Sequence, residues 1–360
     1  MRSLILLAVG LCFLATTTDV RAAEPKKLTD TKTWEHQLSV SSNGKTLVWL
    51  ADGAAGDRIL DIWLMDVAEG KPKNLTAADQ VQVGFAQKWT PRLSSDGGTV
   101  YFGNEDGLQR IGADGKGAGA MDVNWEINEI LVVPGKKAPL VTYRGPVPEK
   151  LIQAPLPKAA KEAAMAFFDM LWWVDPATKK QTLLDKEWAS FFKIPHLLPG
   201  GLIVADTEFG WGDDAERAVA LMDVQTGKRT RLPMDWNHAV PPGRIGDQLV
   251  FWKQDERPAF VLWDLKAKTM KKLGDALFED FGTFWSIPGG DRAIFTAQVT
   301  EDAGWYLYEV DTDGKYRKLC EKKFGYQPEG GGVTPDGKRL YFTAGEGVTR
   351  PGVEVWSLDL

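Results

Sequence analysis

Three histidines, His36, His196 and His238, are the side chains best suited to metal ligation or proton transfer near neutral pH. Two of them share a context. His36 and His238 both stand in Trp-x-His, and each lies eleven residues before a leucine, Leu47 or Leu249, inside an apolar stretch. Counting back eleven from the matching stretches elsewhere gives Trp89, Glu129, Thr283 and Glu329. Histidines and carboxylates at equivalent points of a repeat are the donors of a divalent-metal or small-ligand site wherever the repeats converge. His36, His238, Glu129 and Glu329 are therefore the channel or ligand candidates, with a hydrated polar wall as the plainer reading. No residue is assigned as a metal ligand, and the only cofactor considered is a divalent metal at this place.

A second series is aromatic. Trp34, Trp89, Trp125, Trp188, Trp236, Trp285 and Tyr326 occur once per repeat, near its start. Rings so placed either wedge between neighbouring units or form an exposed collar suited to a peptide or sugar. Other chemistry lacks its residues. There is no Gly-x-Ser-x-Gly elbow, no phosphate loop, and no Gly-x-Gly-x-x-Gly after a strand. Asp311-Thr312-Asp313-Gly314 has the start of a calcium loop without its later carboxylates, and reads as a turn.

The elements that position these residues are set by a repeat. An alternating apolar strand ends in an acidic residue, turns, and continues as a strand usually rich in Lys or Arg. It reads IWLMDVAEGKPKNL from Ile62, LWWVDPATKKQTLL from Leu171, VALMDVQTGKRTRL from Val219, FVLWDLKAKTMKKL from Phe260 and LYEVDTDGKYRKL from Leu307. A weaker copy ends at Asp114, and VEVWSLDL closes the chain. The markers Asp66, Asp114, Asp175, Asp223, Asp264, Asp311 and Asp359 are separated by 48, 61, 48, 41, 47 and 48 residues. A period in the forties with period-2 alternation predicts an all-β, seven-bladed β-propeller of four-stranded antiparallel blades. Six blades is the alternative, if the copy at Asp114 is a loop.

A second turn precedes each marker: Ser42-Asn43-Gly44-Lys45, Ser95-Asp96-Gly97-Gly98 and Pro335-Asp336-Gly337-Lys338 lead into TLVWL, TVYF and RLYFTA. This combination resembles the WD-like repeat of TolB-type propellers, which also builds the propeller domains of prolyl-oligopeptidase-like peptidases. The resemblance covers nearly the whole chain after residue 22 and implies a fold rather than a function. TolB proteins carry an N-terminal α/β domain that has no counterpart in this sequence, so the resemblance is to the propeller alone. The last copy lacks its outer strand, and Lys26-Lys27-Leu28-Thr29 resembles Lys73-Asn74-Leu75-Thr76. The N-terminal segment is therefore expected to complete the last blade and remove an open edge.

The 61-residue interval is the irregular one. Its excess lies between Tyr143 and Leu171, where Pro146, Pro148, Pro155 and Pro157 exclude a central strand. Lys158 to Met170 is rich in helix formers, which predicts a short helical insertion in blade three. It reads as a lid on its own blade or as a docking element.

Residues 1–22 read as a signal peptide: Arg2, an apolar run from Leu4 to Ala15, and Val20-Arg21-Ala22 before cleavage. Residues 23–360 form a single β-propeller domain. Removing the leader takes the formal charge from −6 to −7 and leaves Cys320 as the one cysteine, so no internal disulfide is expected. Acidity argues against nucleic acid as a partner, and no other apolar run is long enough to span a membrane. The expectation is a monomeric, periplasmic or extracellular propeller, not an integral membrane protein. It acts as a non-enzymatic binding or scaffolding module for a protein, peptide or carbohydrate, through its channel mouth and blade-three insertion. The alternative is a lactonase- or lyase-like propeller enzyme using the channel His and Glu residues.

Overall fold

The computed structural model describes residues 23–31, 33–52, 60–76, 90–104, 107–121, 126–145, 168–184, 196–209, 216–232, 238–253, 259–273, 278–299, 304–348 and 352–360. These form seven four-stranded antiparallel sheets, each a blade whose first strand is innermost. The weak copy at Asp114 is a true blade, with Thr99–Asn104 paired to Gly107–Gly112, so the count is seven. No helix occurs among the described residues. Of the expected helix, Phe168 to Met170 instead belong to the strand Phe168–Val174. They pair with Gly145 to Tyr143 of the neighbouring strand, because extending that ladder satisfies backbone groups that a helix end would leave unpaired. The rest of the insertion and the leader lie outside the described residues.

The repeated acidic residues earn their place locally. Asp175, Asp223 and Asp264 each accept bonds from the amides two and three residues ahead, at 2.7–2.9 Å. Those amides hold the three carboxyls below the usual range and fix the hairpin. The turn between first and second strands works similarly. Ser41, Ser94 and Thr334 donate to Asn43, Asp96 and Asp336 (2.6–2.8 Å), and Gly44, Gly97 and Gly337 follow at φ of 71–76°.

The core is a ring. Seven apolar clusters each join two neighbouring blades, as Val48, Leu50 and Ile62 of blade one meet Val100, Phe102 and Ile111 of blade two. Middle strands are therefore apolar on both faces, which is why TLVWLA reads as a run rather than an alternation. Outer strands such as Lys71–Asn74 and Tyr316–Lys318 face solvent, and their lysines discourage pairing with another sheet.

The N-terminal strand Lys26–Lys27 adds to the outside of blade seven, pairing with Trp356 and Ser357 of Val353–Asp359. A buried carboxylate sits at this closure. Glu35 accepts bonds from the Thr29 hydroxyl, the Thr31 hydroxyl (2.9 Å) and the Val355 amide (3.0 Å), while Lys27 pairs with Glu354 at 2.6 Å.

Candidate channel site

Each blade contributes its first strand to the centre of the ring, so the residues there are set by how those strands register. Most carry bulges: between His36 and Ser39 in blade one, Ile127 and Glu129 in blade three, Ala239 and Gly243 in blade five, Phe281 and Phe284 in blade six, and around Glu329 in blade seven. A bulge adds an unpaired residue and re-aims the side chains beside it. Buried threonines on the second strands brace several of them. Thr142 and Thr343 donate to the carbonyls of Glu129 (3.5 Å) and Glu329 (3.1 Å), and Thr296 accepts from the Thr283 amide at 2.9 Å.

Because the bulges differ, the eleven-residue spacing keeps only His36 and Glu329 in matching register, while Glu129 and His238 are each displaced by one residue, in opposite senses. His36 lies opposite Leu50, Glu129 opposite Thr142, His238 opposite Lys253 and Glu329 opposite Thr343. His36 is buried and stacked on Trp34, with ring centroids 4.0 Å apart and planes 14° apart. Glu329 is half-buried on the inner strand of blade seven, and His238 lies on that of blade five, its side chain outside the described residues. Trp285 is buried between blades six and seven, where its indole donates to the Gly330 carbonyl at 2.7 Å. Trp34 and Tyr326 are half-buried, and Trp89, Trp125, Trp188 and Trp236 lie outside the described residues.

Between blades seven and one the inner strands press backbone to backbone. Gly331 adopts φ +69°, and a Cβ there would collide with the Tyr341 carbonyl; one on Gly330 would meet the Leu38 amide at 3.1 Å. Between blades two and three the link is a side chain. Arg92, on the inner strand Arg92–Leu93, donates from Nε to the Ile130 carbonyl (3.0 Å) and from Nη2 to Glu129 Oε1 (2.8 Å). Arg92 keeps 27% and Glu129 21% of side-chain exposure, both on inner strands. Burial pushes the Glu129 carboxyl above its ordinary value, and the adjacent guanidinium only partly offsets this.

His196 lies on the inner strand His196–Leu198 of blade four. Burial, with a smaller contribution from the charge of Arg92, holds its imidazole at about 4, so it is neutral at physiological pH. Its Nε2 is shut off from solvent and has no hydrogen-bond partner among the described residues. Arg92 and His196 are not apparent from the repeat. Arg92 follows Trp89-Thr90-Pro91 without matching any other copy, and His196 lacks the Trp-x-His context.

No protein-family model matches the sequence, and none of the curated proteins matches it. Solved structures do. Oligogalacturonate lyase from Vibrio parahaemolyticus superposes with a TM-score of 0.62 at 14% identity, over 95% of this chain and 94% of that one. An oligogalacturonate lyase in complex with manganese gives 0.63 at 14% identity, over 94% and 93%. The β-propeller domain of the Trilobed protease from Pyrococcus furiosus gives 0.57 at 10% identity, over 93% and 94%. What is shared is the fold. The TolB-type resemblance of the repeats is thus upheld as a seven-bladed propeller and goes no further. Among the described residues no helix is long and apolar enough to cross a membrane, and no three His, Cys, Asp or Glu side chains are grouped to hold a metal ion.

Proposed function

We propose that this chain is an exported propeller that binds a ligand in its central channel without transforming it, on the side of blades two to four. One observation carries the reading. A cation–carboxylate pair on adjacent inner strands is fixed by a backbone carbonyl and still faces the channel with unused hydrogen-bonding capacity. A strut needing only strength would be buried or fully paired. The leader sequence supports export, the net charge of −6 speaks against nucleic acid, and the interval between Gly145 and Phe168 is proposed as a second docking element. The propeller is proposed to act as a monomer.

Native mass spectrometry with an extract of envelope metabolites tests this, using the full chain and an Arg92→Leu/Glu129→Gln variant. A small-molecule adduct on the wild type alone, released with its mass unchanged, is the expected outcome. Equal adducts on both proteins would remove the site from the channel pair, and a chemically altered ligand would end the non-catalytic reading.

A lyase-type enzyme is the second reading. It is favoured by the likeness in overall fold to oligogalacturonate lyases and by Glu129, a carboxyl whose pKa burial raises, beside the Arg92 guanidinium. The manganese named for one of those lyases finds no three-ligand group among the described residues, and His36 is buried with its ring stacked on Trp34. Of the two Trp-x-His histidines, that leaves His238 as the candidate for a metal centre. Metal analysis of the purified protein and of its His238→Ala variant decides that point: stoichiometric metal lost with His238 supports the second reading, and metal-free wild type removes it.

A further inference from the structure

We infer that the channel face of blades two to four is a binding site for an uncharged, hydroxyl-rich ligand, a neutral saccharide. The inference rests on the channel pair being a recognition site and names what that site takes.

The argument begins with capacity left over. Arg92 commits Nε and one Nη2 hydrogen, so Nη1 remains available as a donor. The Glu129 carboxyl takes Arg92 and the Ile130 amide, and a carboxylate with about four acceptor positions still has some to spare. His196 adds Nε2, enclosed and without a partner among the described residues, on a ring that is neutral and thus carries one donor and one acceptor. Three successive blades each supply one of these groups. Only the His196 Nε2 is a buried atom without a partner among the described residues; Arg92 and Glu129 are partly exposed, so their spare positions are open to an occupant.

Charge selects the occupant. Arg92 and Glu129 cancel one another, and His196 contributes none. An anion drawn to the guanidinium meets the Glu129 carboxylate, and a cation drawn to Glu129 meets Arg92, so attraction and repulsion offset each other. A hydroxyl avoids both conflicts, because one oxygen accepts from the guanidinium while its proton goes to the carboxylate. Adjacent hydroxyls on a sugar ring can engage both members of the pair together. The pair is also held in place before binding, by the Ile130 carbonyl and the bulge at Glu129, so little side-chain freedom is lost on contact.

Saturation-transfer NMR and calorimetry on the full chain test this with maltotriose, cellotriose and xylotriose, against digalacturonate and free lysine as charged comparators. Wild-type protein is expected to bind at least one neutral trisaccharide in preference to both comparators. Glu129→Gln should weaken that binding about tenfold and Arg92→Leu at least as much, while His196→Leu, whose Nε2 is closed to solvent, should weaken it less. Circular dichroism monitors the fold of each variant, and Glu129→Gln, which keeps the shape and one acceptor, serves if Arg92→Leu does not fold. Binding of digalacturonate or lysine alone, lost in the variants, would overturn the saccharide class and leave the channel reading standing. Saccharide binding untouched by all three variants would overturn both. No binding of any neutral trisaccharide at 20 mM would overturn the inference, with water then the occupant of the spare hydrogen-bonding positions.

Discussion

Glu35 offers the sharpest test of how the ring is held shut. Its carboxyl is fully buried where the first and last strands meet, with bonds from Thr29, Thr31 and the Val355 amide. Burial pushes its pKa up, nearby Glu354 adds a little, and the hydrogen bonds counteract only part of this. The consequence has a definite sign. At pH values below the unfolded pKa, near 4.3, the group is protonated in both states and costs nothing. As pH rises through the higher folded value, the unfolded chain ionises first and the wild type loses stability. Glu35→Gln keeps the shape and an acceptor but cannot ionise. Its stability relative to wild type should therefore climb between pH 4 and pH 8, by about 1.4 kcal/mol for each unit separating folded and unfolded pKa. Glu35→Ala is different in kind. It deletes one buried methylene, worth about 0.8 kcal/mol, along with the carboxyl, and strands the Thr29 hydroxyl at about 1–3 kcal/mol, roughly 3 kcal/mol in all. With an unfolding entropy near 0.7 kcal/mol/K for a chain of this size, that lowers Tm by about 4 °C. Urea titrations followed by tryptophan fluorescence at several pH values measure both. A pH-independent difference between wild type and Glu35→Gln, or one of opposite slope, would refute the reasoning.

Other expectations follow from single contacts. Thr343→Val removes the buried hydroxyl that donates to the Glu329 carbonyl and should cost about 1–2 kcal/mol in urea titrations, with no change in secondary structure by circular dichroism. Gly331→Ala forces a left-handed backbone and a collision with the Tyr341 carbonyl, so a loss of about 3 kcal/mol or more is expected; a fully stable variant would contradict the tight inner ring. Cys320 is buried, and burial raises its thiol to about 11. A thiol reagent at pH 8 should label it at least about 100-fold more slowly in the native than in the unfolded protein.

Much of the architecture is written in short-range chemistry. Each marker aspartate needs only its own following amides to fix a turn, so Asp175, Asp223 and Asp264 are readable one residue at a time. The closing strand is readable because Lys26-Lys27-Leu28-Thr29 repeats the pattern of Lys73-Asn74-Leu75-Thr76. The site is another matter. Equal spacing places His36 and His238 together on paper, yet one bulge sets His36 against Leu50 and another sets His238 against Lys253. Bulge size depends on packing between blades, as with Gly330 against Leu38, and no periodicity within one blade records it. Arg92 escapes for a related reason: its partners, Glu129 and the Ile130 carbonyl, belong to the next blade and are almost forty residues away. Phe168 to Met170 show the converse, since good helix formers nearby were outweighed by a ladder to Tyr143–Gly145.

The pairing of Lys27 with Trp356 also sets a timetable. The strand synthesised first waits for the one synthesised last, so six blades can assemble while the seventh still lacks its outer member. Bringing together residues some 330 positions apart costs about 3–4 kcal/mol more chain entropy than closing a six-residue hairpin. That cost falls when neighbouring blades have already gathered the two ends, which makes ring closure a late and cooperative step. Until then an unpaired strand edge is exposed on a nearly finished molecule, and the interval before closure is when the chain is most open to joining a second copy of itself.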